Sequence, residues 1–148
     1  MSETLDRDVR LAIMRGFVED GRPPAPDELA RSLNVAQIDA EAALRRLAEA
    51  HLVVLAPGTP YVWMANPFSA IPTSYRVQSG GRRWFGNCIW DALGILAAVG
   101  VDGRISTTCP DCGEPLELRT EGERISGDEA IVHYALPAAR WWEDIGST

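Results

Sequence analysis

The sequence predicts an α+β protein in which a helical module precedes a small mixed α/β domain. Three observations lead there. Apolar residues recur at three-to-four spacing from Leu5 to about Ala50, as amphipathic helices require. Beyond the proline-punctuated stretch Asn66–Thr73, short extended runs alternate with glycine, proline and acidic turns. One strongly apolar run, Cys88–Val101, is long enough for a buried helix among those strands.

Leu5, Val9, Ala12, Ile13, Gly16 and Phe17 place the first helix over 5–19, and Gly21–Pro24 ends it. Pro26–Leu33 is a short helix with proline in its first turn and Asp27 and Glu28 at the positive end of its dipole, and Asn34 makes the following turn. A third helix, about 36–50, is expected to turn Ile38, Ala42, Leu44, Leu47 and Ala48 inward. His51–Leu55 then leads through Pro57-Gly58 into Tyr61–Met64 as a hairpin. Helix, helix-turn-helix and hairpin is the winged-helix order, so residues 1–66 read as a winged-helix-like module and 67–148 as a second, thiol-bearing domain. In the second domain Ser74–Gln78, Arg82–Phe85, Arg104–Thr108, Leu116–Arg119 and Ile131–Leu136 are strand candidates, with Gly80-Gly81 a turn.

Composition narrows the partners. The chain has 148 residues, 46% hydrophobic and 24% charged, which suits a soluble fold able to bury a core without disulfides. The net charge is −7 and every basic residue is arginine, so nucleic acid and anionic membranes are not expected partners. The third helix agrees, because Gln37, Asp39 and Glu41 would face phosphates at its start and Arg45 and Arg46 come later. A structural or dimerising module is the expected role. Cys88–Val101 is interrupted by Asp91 and too short to span a bilayer, and Met1–Asp8 lacks the basic start and apolar core of a secretory signal. A cytoplasmic location follows, where the 3 cysteines would remain thiols.

Two groupings carry chemistry. Asn87 is expected to cap the apolar helix, placing Cys88 in the first turn, where N–H groups and the dipole lower a thiol pKa. Asp91 lies three residues on and projects from nearly the same face, and a carboxyl kept protonated by burial can donate a proton. The ordinary alternatives are a small core cysteine and a satisfied structural carboxylate. Cys109-Pro110-Asp111-Cys112-Gly113 has the spacing of a zinc knuckle but is half a site. Metal candidates are therefore Cys88, Cys109 and Cys112, with zinc closed by a histidine such as His133 or left with an open position. A redox role for the pair lacks the usual strand-to-helix context. His51 reads as a helix-end surface residue and His133 as a core or hydrogen-bonding one.

The segment Gly80–Leu93, with Trp84-Phe85-Gly86-Asn87-Cys88-Ile89-Trp90-Asp91 at its centre, resembles the alkylmercury (organomercurial) lyases. The resemblance extends back through Pro72-Thr73 and the helical front half, and forward through Arg104-Ile105 to Cys109. It implies an alkylmercury-lyase-like second domain and protonolysis of a carbon–mercury bond, with Cys88 as the first thiolate and Asp91 as the acid. Cys109 would be a supporting cysteine. The substrate would be an organomercurial or mercuric ion, with mercury as substrate metal and no cofactor required. Soft mercury selects thiolate, and electron donation from sulfur readies the carbon for a proton.

The family's second catalytic cysteine lies on a strand beyond the part matched by Val132–Pro137, and this sequence ends at Thr148. Three explanations stand open: loss of that residue, substitution by Cys109 or Cys112, or an early end to the recorded chain, as when a selenocysteine codon is read as stop. The alternative functions are a non-catalytic binder of mercury or zinc and a metal-responsive winged-helix regulator. Pro137–Trp142 is a proline- and tryptophan-rich tail for which covering the site and covering an interface both stand open. Exposed Trp141 and Trp142 would point to a missing partner strand or a homodimer contact, whereas paired aromatics ordinarily pack in a core.

Overall fold

The computed structural model describes residues 2–127 and 129–146. Thr148, on which the expectation about the chain's end rests, lies outside them. Three helices come first: α1 (Ser2–Asp20), α2 (Pro26–Leu33) and α3 (Gln37–Glu49). Eight strands follow: β1 (Val54–Leu55), β2 (Val62–Ala65), β3 (Phe68–Ser69), β4 (Tyr75–Ser79), β5 (Arg82–Gly86), β6 (Arg104–Thr108), β7 (Pro115–Glu121) and β8 (Arg124–Gly127). A fourth helix, α4 (Ile89–Val99), joins β5 to β6. The protein is α+β, as its sequence predicts. No described helix is long and apolar enough to cross a membrane.

The strands form one antiparallel sheet in the order β1-β2-β3-β5-β4-β6-β7-β8. Its register places Trp84 opposite Val77, Val77 opposite Ile105, and Ile105 opposite Leu118. This row shares one face, because side chains alternate along a strand. The β4–β5 hairpin turns at Gly80 and Gly81, whose φ values of 52° and 81° suit glycine. The boundary expected at 66/67 falls in the turn between β2 and β3, which pair with each other.

One apolar cluster joins Val9, Ile13 and Phe17 of α1 and Leu44 and Leu47 of α3 to Phe68, Val77, Trp84, Ile95 and Ile105. Phe17 stacks on Phe68 with ring centroids 5.1 Å apart, and buried Trp84 donates its Nε1–H to the Phe17 carbonyl at 2.8 Å. The indole thereby fixes the end of α1 against β5. At the next turn, Glu28 accepts the Ala25 N–H at 2.7 Å and pairs with Arg22, which together hold its carboxyl down at about 2.

Three local expectations are corrected. Ile38 is 69% exposed, and α3 instead buries Ala40, Ala43, Leu44 and Leu47. The two leucines set the helix phase, because they bury more apolar surface than the surrounding alanines. Residues 131–136 form no strand: they join none of the strands of the sheet, and Ile131 is 95% exposed. From residue 129 the chain is irregular until a 3-10 turn, Ala138–Glu143. Finally, β8 was not expected, because Arg124–Gly127 has no apolar alternation and is exposed throughout.

Candidate active site

Cys88 and Asp91 come together where β5 hands over to α4. Thr73 Oγ1 donates to the Gly86 carbonyl at 2.6 Å, fixing the end of β5. A Cβ on Gly86 would lie 2.7 Å from Ala92 N and 3.1 Å from Cys88 O, so only glycine lets α4 start this close to the sheet. Gly86→Ala is expected to cost about 1–3 kcal/mol by overpacking and to displace the first turn of α4. A lowered melting temperature, with altered thiol reactivity of Cys88, checks this.

The cap of α4 is Cys88 itself, not Asn87 as expected, and its Sγ accepts the Asp91 N–H at 3.4 Å. Asn87 turns its side chain onto the carboxyl instead: Nδ2 donates to Asp91 Oδ2 at 3.0 Å, and the Asn87 backbone N–H also reaches that carboxyl. The same Nδ2 lies 3.3 Å from the Phe68 carbonyl and 3.4 Å from Asn66 Oδ1, which fixes the amide between β2, β3 and α4. Asn87 Oδ1 is buried with no partner among the described residues. The four-residue spacing of Asn87 and Asp91 was the signal available in the sequence.

The electrostatics correct the expectation of a depressed thiol. Burial pushes the Cys88 pKa up, outweighing the N–H groups of Asp91 and Trp90, and the nearby Asp91 carboxylate acts in the same direction as burial. Burial also raises Asp91 against the two Asn87 donors. The site therefore holds a protonated thiol beside a carboxyl that takes up a proton more readily than usual.

A small pocket of about 60 Å³ lies over these groups, lined by Met64, Asn66, Asn87, Cys88, Asp91, Tyr134, Trp141 and Ile145. Its roof is the tail, through Tyr134, Trp141 and Ile145. Trp141 donates its Nε1–H to the Leu136 carbonyl at 3.0 Å, and Tyr134 packs 5.2 Å from Trp141. Trp142 stacks on His51 with centroids 4.0 Å apart, so the two tryptophans divide between the pocket and α3's end. Trp142→Ala is expected to loosen this roof and raise the rate of Cys88 alkylation several-fold, measured in a Cys109→Ser/Cys112→Ser background.

The remaining candidates sit elsewhere. Cys109 and Cys112 lie at the β6–β7 turn and are not among the residues that line the pocket. Among the described residues no three His, Cys, Asp or Glu side chains gather to hold a metal ion. His133 is exposed, not in the core.

Residues 68–148, more than half of the chain, match the family model described as alkylmercury lyase. No curated protein matches. Among solved structures, the mercury-bound form of MerB2 superposes with a TM-score of 0.64 at 21% identity, over 82% of this chain and 58% of that one. The chain thus spans somewhat over half the length of that protein and shares its fold. The family match runs from β3 onward and takes in the thiol and carboxyl at the start of α4 and the roofing tail, and on that match the chain belongs to the alkylmercury lyase family.

Proposed function

We propose that the protein cleaves carbon–mercury bonds by protonolysis, with Cys88 as the mercury-binding thiol and Asp91 as the acid. The observation carrying this reading is that a thiol and a carboxyl, both raised by burial, share one enclosed pocket and are joined by the Asp91 N–H to Cys88 Sγ contact at 3.4 Å. A raised thiol holds its proton until a soft metal displaces it, and a raised carboxyl is the right group to receive that proton.

The proton balance closes. An organomercurial carried as a thiol adduct, R–Hg–SR′, meets Cys88; the S–H proton passes to Asp91 as the Cys88 sulfur bonds to mercury. Two sulfurs now donate electron density to the metal. The carbon–mercury bond breaks toward carbon, Asp91 returns the proton to it, and R–H leaves with mercury held between Cys88 and R′S. In this reading the second sulfur is that of the small-molecule thiol, and release is expected to depend on added monothiol. General acid assistance of this kind contributes about 10²–10⁴-fold.

The helical front half, residues 1–66, is read as a winged-helix-like scaffold that supplies Met64 and Asn66 to the pocket, with 67–148 carrying the reacting groups. A regulator reading gains little from α3, where Arg45 pairs with Glu41 and Arg46 with Asp6, leaving few free charges for phosphate. The test is stoichiometric incubation of reduced protein with an organomercurial and a monothiol, reading hydrocarbon released and mercury retained. Loss of release in Cys88→Ser and Asp91→Asn supports the lyase. Retention through Cys88 without release in the wild-type protein means a soft-metal binder instead.

A further inference from the structure

The β6–β7 turn holds a second arrangement of thiols that the proposed lyase step does not use. Cys109 follows β6, and the chain closes on itself there: Cys109 N–H donates to the Glu114 carbonyl at 2.8 Å, and Gly113 N–H to the Cys109 carbonyl at 2.8 Å. The N–H groups of Cys112 and Asp111 hydrogen-bond to the Cys109 sulfur, and Gly113, with φ of 75°, turns the chain back toward β7. The Cys112 side chain hydrogen-bonds to the same sulfur, so the two thiols are already side by side. Cys112 is exposed and Cys109 partly so, with Asp111 and Glu114 exposed beside them.

We propose that Cys109 and Cys112 form a separate mercuric-ion site, a solvent-facing dithiolate that binds Hg(II) in two-coordinate form independently of the Cys88 pocket. The two sulfurs are soft donors three residues apart on one turn that backbone hydrogen bonds close. A closed zinc site needs about four donors, and no third His, Cys, Asp or Glu joins the pair among the described residues. Mercury is different, because two thiolates in line satisfy it. The neighbouring carboxylates draw a cation to the turn without having to bind it. In the binding step two sulfur–mercury bonds form as the mercuric ion loses its two chloride or monothiol ligands, and each thiol that was protonated gives its proton to the departing thiolate or to solvent. The choice of metal follows the soft-metal reading above, but the site does not depend on any cleavage at Cys88.

The experiment uses the full-length Cys88→Ser protein, reduced and free of oxygen, titrated with mercuric chloride in the presence of a competing monothiol. One equivalent of mercury is expected to stay bound, seen by intact mass as one mercury replacing two protons and by the ultraviolet thiolate-to-mercury charge-transfer band. Adding Cys112→Ser removes the chelate and is expected to weaken retention at least about tenfold, because the second sulfur acts at high effective concentration. An unchanged melting temperature shows that the turn variants remain folded. Cys88→Ser that retains no mercury against monothiol, or retention that survives Cys109→Ser/Cys112→Ser, overturns the proposal. Hydrocarbon release is not read in this assay, so failure of the lyase reading and failure of this site are separate results.

Discussion

Asp91→Asn is expected to lower single-turnover hydrocarbon release by about 10²–10⁴-fold, the usual contribution of a positioned general acid, while mercury still binds at Cys88. Asparagine keeps the shape of the side chain and accepts from Asn87 through its oxygen, so the start of α4 should stay in place. The same variant is expected to be more stable than wild type at neutral pH. Burial raises the folded-state pKa of Asp91, so the native protein binds a proton more readily than the unfolded chain. Below the ordinary carboxylate pKa the group is neutral in both states and costs nothing. As pH rises from there through the elevated native value, the wild type must bury a charge and loses stability, which asparagine does not. Denaturation of both proteins across that window should show the gap opening with rising pH, and a gap that is flat or reversed counts against a buried, raised carboxyl.

Trp84→Ala is expected to cost about 3–5 kcal/mol, a large share of the roughly 5–15 kcal/mol that holds a domain together. Trp84 is only 2% exposed and is the largest of the fully buried side chains. It lies in the Trp84–Val77–Ile105 row, and its indole N–H binds the Phe17 carbonyl, so one substitution opens a cavity and releases α1 from the sheet. Trp84→Phe should cost less, because the ring still fills most of the space and the Phe17 carbonyl keeps the Gly21 N–H at 3.0 Å. Chemical denaturation of the two variants ranks them. Equal losses would mean that the hydrogen bond rather than packing carries the effect.

The elements with strong local signals were legible. Pro26 and Asn34 bracket α2, and Asn34 does take the left-handed conformation that ends it. Arg104–Thr108 was expected as a strand and is one. Where side chains say little locally, tertiary packing decided. The alanine-rich α3 takes its phase from Leu44 and Leu47, which turned Ile38 outward. The β propensity of Ile131 and Val132 alone did not make a strand, while the plain sequence Arg124–Gly127 gained strand form from pairing with β7.

The site was legible as a pair of residues but not as an environment. Three-residue spacing put Cys88 and Asp91 on one helical turn, and the structure keeps them there. Asn87 was read as the cap because asparagine usually caps well, yet its amide found a better acceptor in Asp91. The sign of the Cys88 shift was missed because helix position suggests N–H donors, whereas the roof formed by Tyr134, Trp141 and Ile145 comes from residues far along the chain. Burial of that kind is not visible in local spacing.

The most direct test of the central claim is the isotopic content of the hydrocarbon that wild-type protein releases from an organomercurial in deuterium oxide, with exchangeable thiol and carboxyl protons replaced beforehand. Protonolysis through Cys88 and Asp91 predicts one deuterium in each hydrocarbon molecule, at the carbon that was bound to mercury. Hydrocarbon without deuterium, or mercury bound with no hydrocarbon released, would contradict it.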